Sequence, residues 1–66
     1  MFIIADIHHK VPSYFWKLSN NTPLISMDIK NAKMFNSFTE AKTFLNSMKS
    51  EAFVFNVVEL GIVKIY

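Results

Sequence analysis

Hydrophobic residues in the first half of the chain fall in short runs that are typical of β-strands. Three runs are rich in aromatic and β-branched residues, and they cover residues 1–7, 13–18 and 24–27. Turn signals separate them, because Pro12 closes a polar connection and residues 20–23 (Asn-Asn-Thr-Pro) favour a tight reversal. We therefore predict three strands. Side chains alternate between the two faces of a strand, so one face of the second strand carries Tyr14, Trp16 and Leu18.

The pattern changes to a helical period after Ser37. Before it, Asp28 is expected to start a turn, and residues 33–35 to pair briefly with a strand. Residues 37–40 (Ser-Phe-Thr-Glu) have the spacing of a capping box, in which Ser37 accepts from a backbone amide near Glu40 and Glu40 reaches back. Apolar residues then recur at helical intervals, at Phe38, Ala41, Phe44, Leu45 and Met48. We predict an amphipathic helix that begins after Ser37 and fades near residue 50.

Residues 53–60 (Phe-Val-Phe-Asn-Val-Val-Glu-Leu) predict the strongest strand of the chain. Gly61 follows it and marks either a tight turn, which would complete a C-terminal hairpin, or a bulge in one long bent strand. The element order is therefore ββ(β)αβ. It predicts a single α+β domain over residues 1–66, with a small, mainly antiparallel sheet of three to five strands and one helix on one face.

Both faces of the predicted sheet carry apolar residues, yet one helix can cover only one face. The second face must then be buried by a second copy of the chain, by another protein, or by a curl of the sheet on itself. We predict a homodimer packed through this face, since two-fold dimers dominate small oligomers. If the face contacts another protein instead, the predicted anchors are Tyr14, Phe15 and Trp16, with Lys17 and Lys10 as rim charges.

Charge narrows the classes of partner. The seven basic residues are all Lys, and the net charge is +2 at pH 7. No two Lys are adjacent and Arg is absent, so the sequence predicts no patch that follows a phosphate backbone. The alternative partner is a single-stranded nucleic acid, because the aromatic side chains of residues 14–17 beside Lys10 or Lys64 would form a surface on which bases stack.

Composition also bears on the cellular compartment. The longest apolar run, residues 1–5, is far shorter than the ~20 residues of a membrane span, and no signal-peptide pattern accompanies it. Cys is absent, which excludes disulfides and thiolate metal sites. We expect a cytoplasmic protein without membrane association. The abundance of Phe, Ile, Asn and Lys, whose codons are AT-rich, indicates a low-GC genome.

Asp6, His8 and His9 form the one cluster of metal-ligand residue types. Zinc needs at least three converging protein ligands, and no other carboxylate has a spacing that would complete the set. We therefore predict two solvated histidines at a strand end and no metal. The sequence also has no nucleophile motif, no glycine-rich phosphate loop and no cofactor signature, so we predict a protein that is not an enzyme and holds no cofactor.

One pattern extends over several of the predicted elements. It is a strand pair with a Tyr/Trp motif, then D-x-x-x-A-x-x-F, then S-x-x-E-A at the start of a helix, and its residues here are Tyr14, Trp16, Asp28, Ala32, Phe35, Ser37, Glu40 and Ala41. In this pattern the chain resembles small uncharacterised accessory proteins of Gram-positive phages or mobile elements. The resemblance implies a phage origin and a protein-binding role, in which the chain inhibits or modulates a host or defence protein by occlusion. It implies no active-site residues.

Overall fold

The computed structural model describes residues 1–48, 53–61 and 64–65. It contains one helix and one antiparallel sheet, which confirms the predicted α+β class and the order ββ(β)αβ. The elements are β1 (Phe2–Asp6), β2 (Ser13–Ser19), β3 (Thr22–Ser26), a 3-10 turn (Ile29–Asn31), α1 (Phe38–Ser47), β4 (Asn56–Glu59) and β5 (Lys64–Ile65). The sheet order is β3-β2-β1-β4-β5.

A two-residue turn joins β2 to β3. Asn20 and Asn21 have φ angles of 51° and 63°, as a type I′ turn requires, and Ser19 pairs with Thr22 across it. Pro23 pairs with Leu18 at the next position. Proline has no backbone N–H to donate to a neighbouring strand. Pro23 is tolerated here because the backbone groups of alternate residues in β3 point away from β2, so no hydrogen bond to β2 is lost. Pro23 thereby removes a donor from the outer edge of the sheet.

The second strand bends away from β1 after Phe15. The register of β2 on β3 shifts between Phe15 and Lys17, so Trp16 is the extra residue of a β-bulge. The segment before the helix fills the gap that this bend opens. Lys33 donates its backbone N–H to the Phe15 carbonyl at 3.0 Å, and Phe35 exchanges two backbone hydrogen bonds with Phe2. The brief pairing predicted for residues 33–35 is thus confirmed.

Local capping fixes where α1 begins. The Ser37 hydroxyl accepts from the Glu40 backbone N–H at 3.1 Å, as the capping-box spacing predicts. Glu40 reaches back one residue further than expected, and its carboxylate accepts from the Asn36 N–H at 3.4 Å. In the same way, the Asp28 carboxylate accepts from the Lys30 N–H at 2.9 Å and starts the 3-10 turn. Both predicted turn and cap signals are confirmed.

The core lies between α1 and one face of the sheet, which we term the helix face. Cross-strand pairing places Ile4 opposite Val57 on this face, and both are fully buried. Phe15 is also fully buried, and its ring lies 5.3 Å from that of Phe44 on α1. The remaining members of the core pack around these residues, namely Phe2, Phe35, Phe38, Ala41, Leu45, Met48 and Phe55. The predicted apolar stripe of the helix is confirmed.

The opposite side of the sheet, which we term the outer face, is closed at its centre within a single chain. Ile3 and Ala5 lie on it, and they are 1% and 0% exposed. The predicted second copy rests on the need to bury this face. That argument does not apply to its centre, because a single chain already excludes water from Ile3 and Ala5.

The chain ends in a hairpin about Gly61. β4 and β5 pair antiparallel through Val58 with Ile65 and Glu59 with Lys64. Gly61 has a φ of 94°, which only glycine adopts at little cost, and this explains the glycine between these strands. Of the two interpretations of the last residues, the hairpin is confirmed and the single bent strand is wrong. Residues 62, 63 and 66 lie outside the described part of the chain.

Candidate functional site

Trp16 and Lys17 form an aromatic and cationic pair on the outer face. Trp16 is 43% exposed, and the Lys17 ammonium lies 4.6 Å from the centroid of its ring. In a regular strand these neighbours would point to opposite faces. The bulge brings both to the same face, because the register places Lys17 opposite Leu24. At 4.6 Å the ammonium and the indole ring are within the range of a cation–π interaction, so an apolar ring and a cation are exposed together on the outer face.

The other predicted contact residues differ in their exposure to solvent. Phe15 is fully buried in the core, so its prediction as a surface anchor is wrong: alternation turns it away from Trp16 and under α1. Tyr14 is half-buried on the outer face opposite Ala5. Lys10 is exposed in the connection between β1 and β2. Leu18 was predicted on the Trp16 face, but the bulge moves it to the other one.

The carboxylate of Asp6 joins two distant segments of the chain. Asp6 is 1% exposed, and its Oδ1 accepts from the His8 backbone N–H at 3.1 Å. Its Oδ2 accepts from the Val54 N–H at 3.2 Å, 48 residues away. The first contact ends β1 in an Asx turn, and the second attaches the segment before β4 to the end of β1. The strand ends at Asp6, and His8 lies in the turn that follows it.

Both histidines contact this junction through their rings. His9 Nε2 lies 3.6 Å from Asp6 Oδ2, and His8 Nε2 lies 3.1 Å from the side-chain oxygen of Asn56. The N–H of His8 lowers the pKa of Asp6 below its usual value of 3.8; burial opposes this, while the Val54 N–H and the nearby histidine charges reinforce it. Asp6 is therefore a carboxylate over the physiological pH range, and its role is to accept hydrogen bonds.

The described residues do not assemble a metal centre. Among residues 1–48, 53–61 and 64–65, no three His, Cys, Asp or Glu side chains are placed to hold one ion. In the same part of the chain, no helix is long and apolar enough to cross a membrane. The contacts of Asp6, His8 and His9 are those of a structural junction.

A groove lies along α1 on the helix face. It is open to solvent, has a volume of about 540 Å³, and is lined by Phe35, Thr39, Glu40, Thr43, Phe44 and Ser47. The rings of Phe35 and Phe44 form its floor, with their centroids 5.4 Å apart. Lys33 does not line the groove, although its ammonium lies 5.6 Å from the Phe35 centroid and 6.0 Å from that of Phe44.

Sequence analysis did not predict this groove, although one signal for it was present. Thr39, Thr43 and Ser47 recur every four residues and therefore form one row of small hydroxyl side chains on α1. A row of small residues beside Phe44 leaves room over the ring. The position of Lys33 and Phe35 next to this row depends on the pairing with β1 and β2, and the helical pattern carries no information about that pairing.

Comparisons with known proteins indicate no family for the chain. The chain matches no family model, no curated protein and no solved structure. Its origin in a phage or mobile element, which the Tyr/Trp and S-x-x-E-A pattern implied, therefore stays a prediction.

Proposed function

We propose that the chain is a small, non-catalytic protein-binding module that acts by occlusion, covering a site on a larger protein. The observation that supports this most directly is the exposure of Trp16 beside Lys17 on the bulge of β2. Tryptophan at the centre of an interface is among the residues that contribute most to binding energy. A phage-encoded inhibitor or modulator of a host or defence protein, acting in the bacterial cytoplasm, is the form of this function that we propose.

Rigidity favours such a role. The bulge fixes the strand on which Trp16 stands, and the underside of that strand is anchored by the fully buried Phe15. A side chain that is already ordered loses little conformational entropy when a partner covers it. The lysine charge at the edge of the ring adds specificity, since a partner must supply a group compatible with a cation there.

The test compares Trp16→Ala with Val54→Ala, which truncates another exposed apolar residue at a distant position. Wild type and both variants are used as immobilised baits in lysates of low-GC Gram-positive bacteria, and bound proteins are quantified by mass spectrometry. We expect a partner that Val54→Ala retains and that Trp16→Ala binds about 30-fold or more weakly, equivalent to about 2 kcal/mol. A partner retained equally by both variants would contradict the assignment of Trp16.

Folding and nucleic-acid binding are separated by two further measurements. Trp16→Ala should lower the free energy of unfolding by only about 1 kcal/mol, whereas truncation of a buried aromatic costs about 3 kcal/mol or more. The chain has a single Trp, so its emission reports directly on this surface. Quenching by oligo-dT that weakens steeply with added salt would support the single-stranded nucleic-acid alternative and overturn the protein-binding proposal.

A further inference from the structure

We propose that the free edge of β3 pairs with β3 of a second copy of the chain, antiparallel and centred on Ile25. β3 is the last strand in the sheet order, so one of its edges has no neighbouring strand in the part of the chain that the structure describes. We term this the β3 edge. It is distinct from the outer face that carries Trp16, so the proposal does not rest on the protein-binding function.

The backbone groups of Ile25 point away from β2 and towards the β3 edge. Phe15 is the partner of Ile25 in β2, and its carbonyl accepts from the Lys33 N–H at 3.0 Å instead of from β3. The two residues therefore form a pair of the non-hydrogen-bonded type. Because β3 has no extra residue, the same alternation directs the Pro23 carbonyl to this edge. Within β3, the edge thus offers one N–H and two carbonyls.

The proline selects the register of the pairing. When the two strands are centred on Ile25, the two Ile25 residues exchange both of their hydrogen bonds. When they are centred on Leu24, each Ile25 N–H faces a Pro23 carbonyl, but proline has no N–H to return and the Ile25 carbonyls lack a donor. A register centred on Pro23 has no donor at its centre. Only the Ile25 register completes its central pair.

The side chains of this strand do not oppose the pairing. Residues 22–27 (Thr-Pro-Leu-Ile-Ser-Met) carry no charge, whereas charged residues are among the devices that protect an exposed edge. β5, at the opposite end of the sheet order, carries Lys64 and is only two residues long. The Ile25 register places Pro23 opposite Met27 of the second copy. Met27 is 71% exposed, so pairing would remove part of its apolar surface from water.

The pairing would join two sheets into one and display two binding surfaces on the same side. Paired residues of neighbouring strands place their side chains on one face, so both copies would present Trp16 and Lys17 in the same direction. The contact itself is small. Two strand edges bury less than the ~1,000 Å² of a stable interface, so we expect a weak dimer that forms near millimolar concentration and dissociates at micromolar concentration.

Amide exchange with solvent tests the pairing in the wild-type chain. The 15N-labelled protein is measured by NMR from micromolar to millimolar concentration. The Ile25 N–H is expected to exchange at least about two-fold more slowly at the highest concentration, as when half of the chains are paired. Leu24 is the internal control, because its N–H points to β2 and is bonded at every concentration. Exchange of Ile25 that does not depend on concentration would overturn the proposal.

A mixed sample of 13C-labelled and unlabelled chains tests the register. An isotope-filtered nuclear Overhauser spectrum should connect the Hα of Leu24 with the Hα of Ser26 on the other copy, because the Cα atoms of a non-hydrogen-bonded pair lie about 4.5 Å apart. A contact between the two Leu24 residues, or between the two Trp16 residues, would contradict the Ile25 register.

A pair of lysine variants then assigns the surface. Met27→Lys and Val54→Lys each place a charge at an exposed apolar position, where the native side chains are 71% and 64% exposed, so both variants should fold. We expect Met27→Lys to abolish the concentration dependence of Ile25 exchange, because a lysine at a strand edge opposes pairing, and Val54→Lys to retain it. If both variants retained it, a surface other than the β3 edge would form the dimer.

Discussion

The Asp6 carboxylate accepts two backbone N–H groups, one from nearby His8 and one from Val54, which is 48 residues from Asp6. These hydrogen bonds favour its ionised form, so the pKa of Asp6 is lower in the folded chain than in the unfolded chain. A depressed carboxyl pKa contributes stability above the unfolded value near 3.8, and that stability is lost as the pH falls through the folded value. The junction between β1 and the segment before β4 should therefore weaken in acid.

We predict that Asp6→Asn lowers the free energy of unfolding at neutral pH and reduces its dependence on pH below about 4. An amide oxygen can replace one acceptor, but the amide NH₂ then faces the second N–H. Urea unfolding at neutral and acidic pH measures both effects. Asp28→Asn is the matched control, since asparagine also serves as a cap at this exposed position. If Asp6→Asn behaved like Asp28→Asn at every pH, the two hydrogen bonds would carry no net stability.

At the scale of elements, the start of α1 depends on one hydroxyl. Ser37 accepts from the Glu40 N–H, one of the four N-terminal amides that the helix cannot satisfy itself. We predict that Ser37→Ala lowers the free energy of unfolding by about 1 kcal/mol, and that Ser37→Asp retains the wild-type value because its carboxylate caps the same amide. Chemical denaturation followed by circular dichroism measures both. If both variants lost the same free energy of unfolding, the cap hydrogen bond would contribute nothing, and any substitution of Ser37 would be destabilising.

Local signals explain which elements could be predicted from the sequence. The Ser37 cap, the Asn20-Asn21 turn and the apolar period of α1 act within a few residues, so the sequence reveals them directly. The bulge at Trp16 arises where β2 leaves β1 and residues 33–35 enter, which involves three segments at once. Alternation alone therefore predicted the wrong face for Leu18.

The same distinction explains the candidate sites. Exposure of Trp16 and burial of Phe15 are opposite outcomes for adjacent aromatics, and they depend on which face α1 covers. Composition gives no means of choosing between them. The groove needs Phe35 from the segment before α1 and Phe44 from α1, and the pairing of Phe35 with Phe2 brings the two together. Helical periodicity predicted the stripe that contains Phe44 but not its neighbours.

At the scale of the whole molecule, a single chain has the dimensions of a complete small domain. Its radius of gyration is 10.8 Å, equal to the value of about 10.8 Å for a compact domain of this length. Its accessible surface is 4611 Å², against about 4,300 Å² for a folded monomer of this mass. The fold therefore does not require a second copy for its core.

The homodimer that the two apolar faces predict can be tested by measuring the mass of the protein in solution. Light scattering coupled to size exclusion at micromolar concentration tests it, and a mass of 7.7 kDa would contradict the homodimer, in line with the burial of Ile3 and Ala5 within one chain. A monomer leaves Trp16 available to another protein, as the proposed function needs. A stable mass of twice this value would show that a second copy buries part of the surface. In that case Trp16→Ala shows which surface the dimer uses. If the variant is a monomer, the Trp16 surface forms the dimer interface, and a partner protein must compete with the second copy for it.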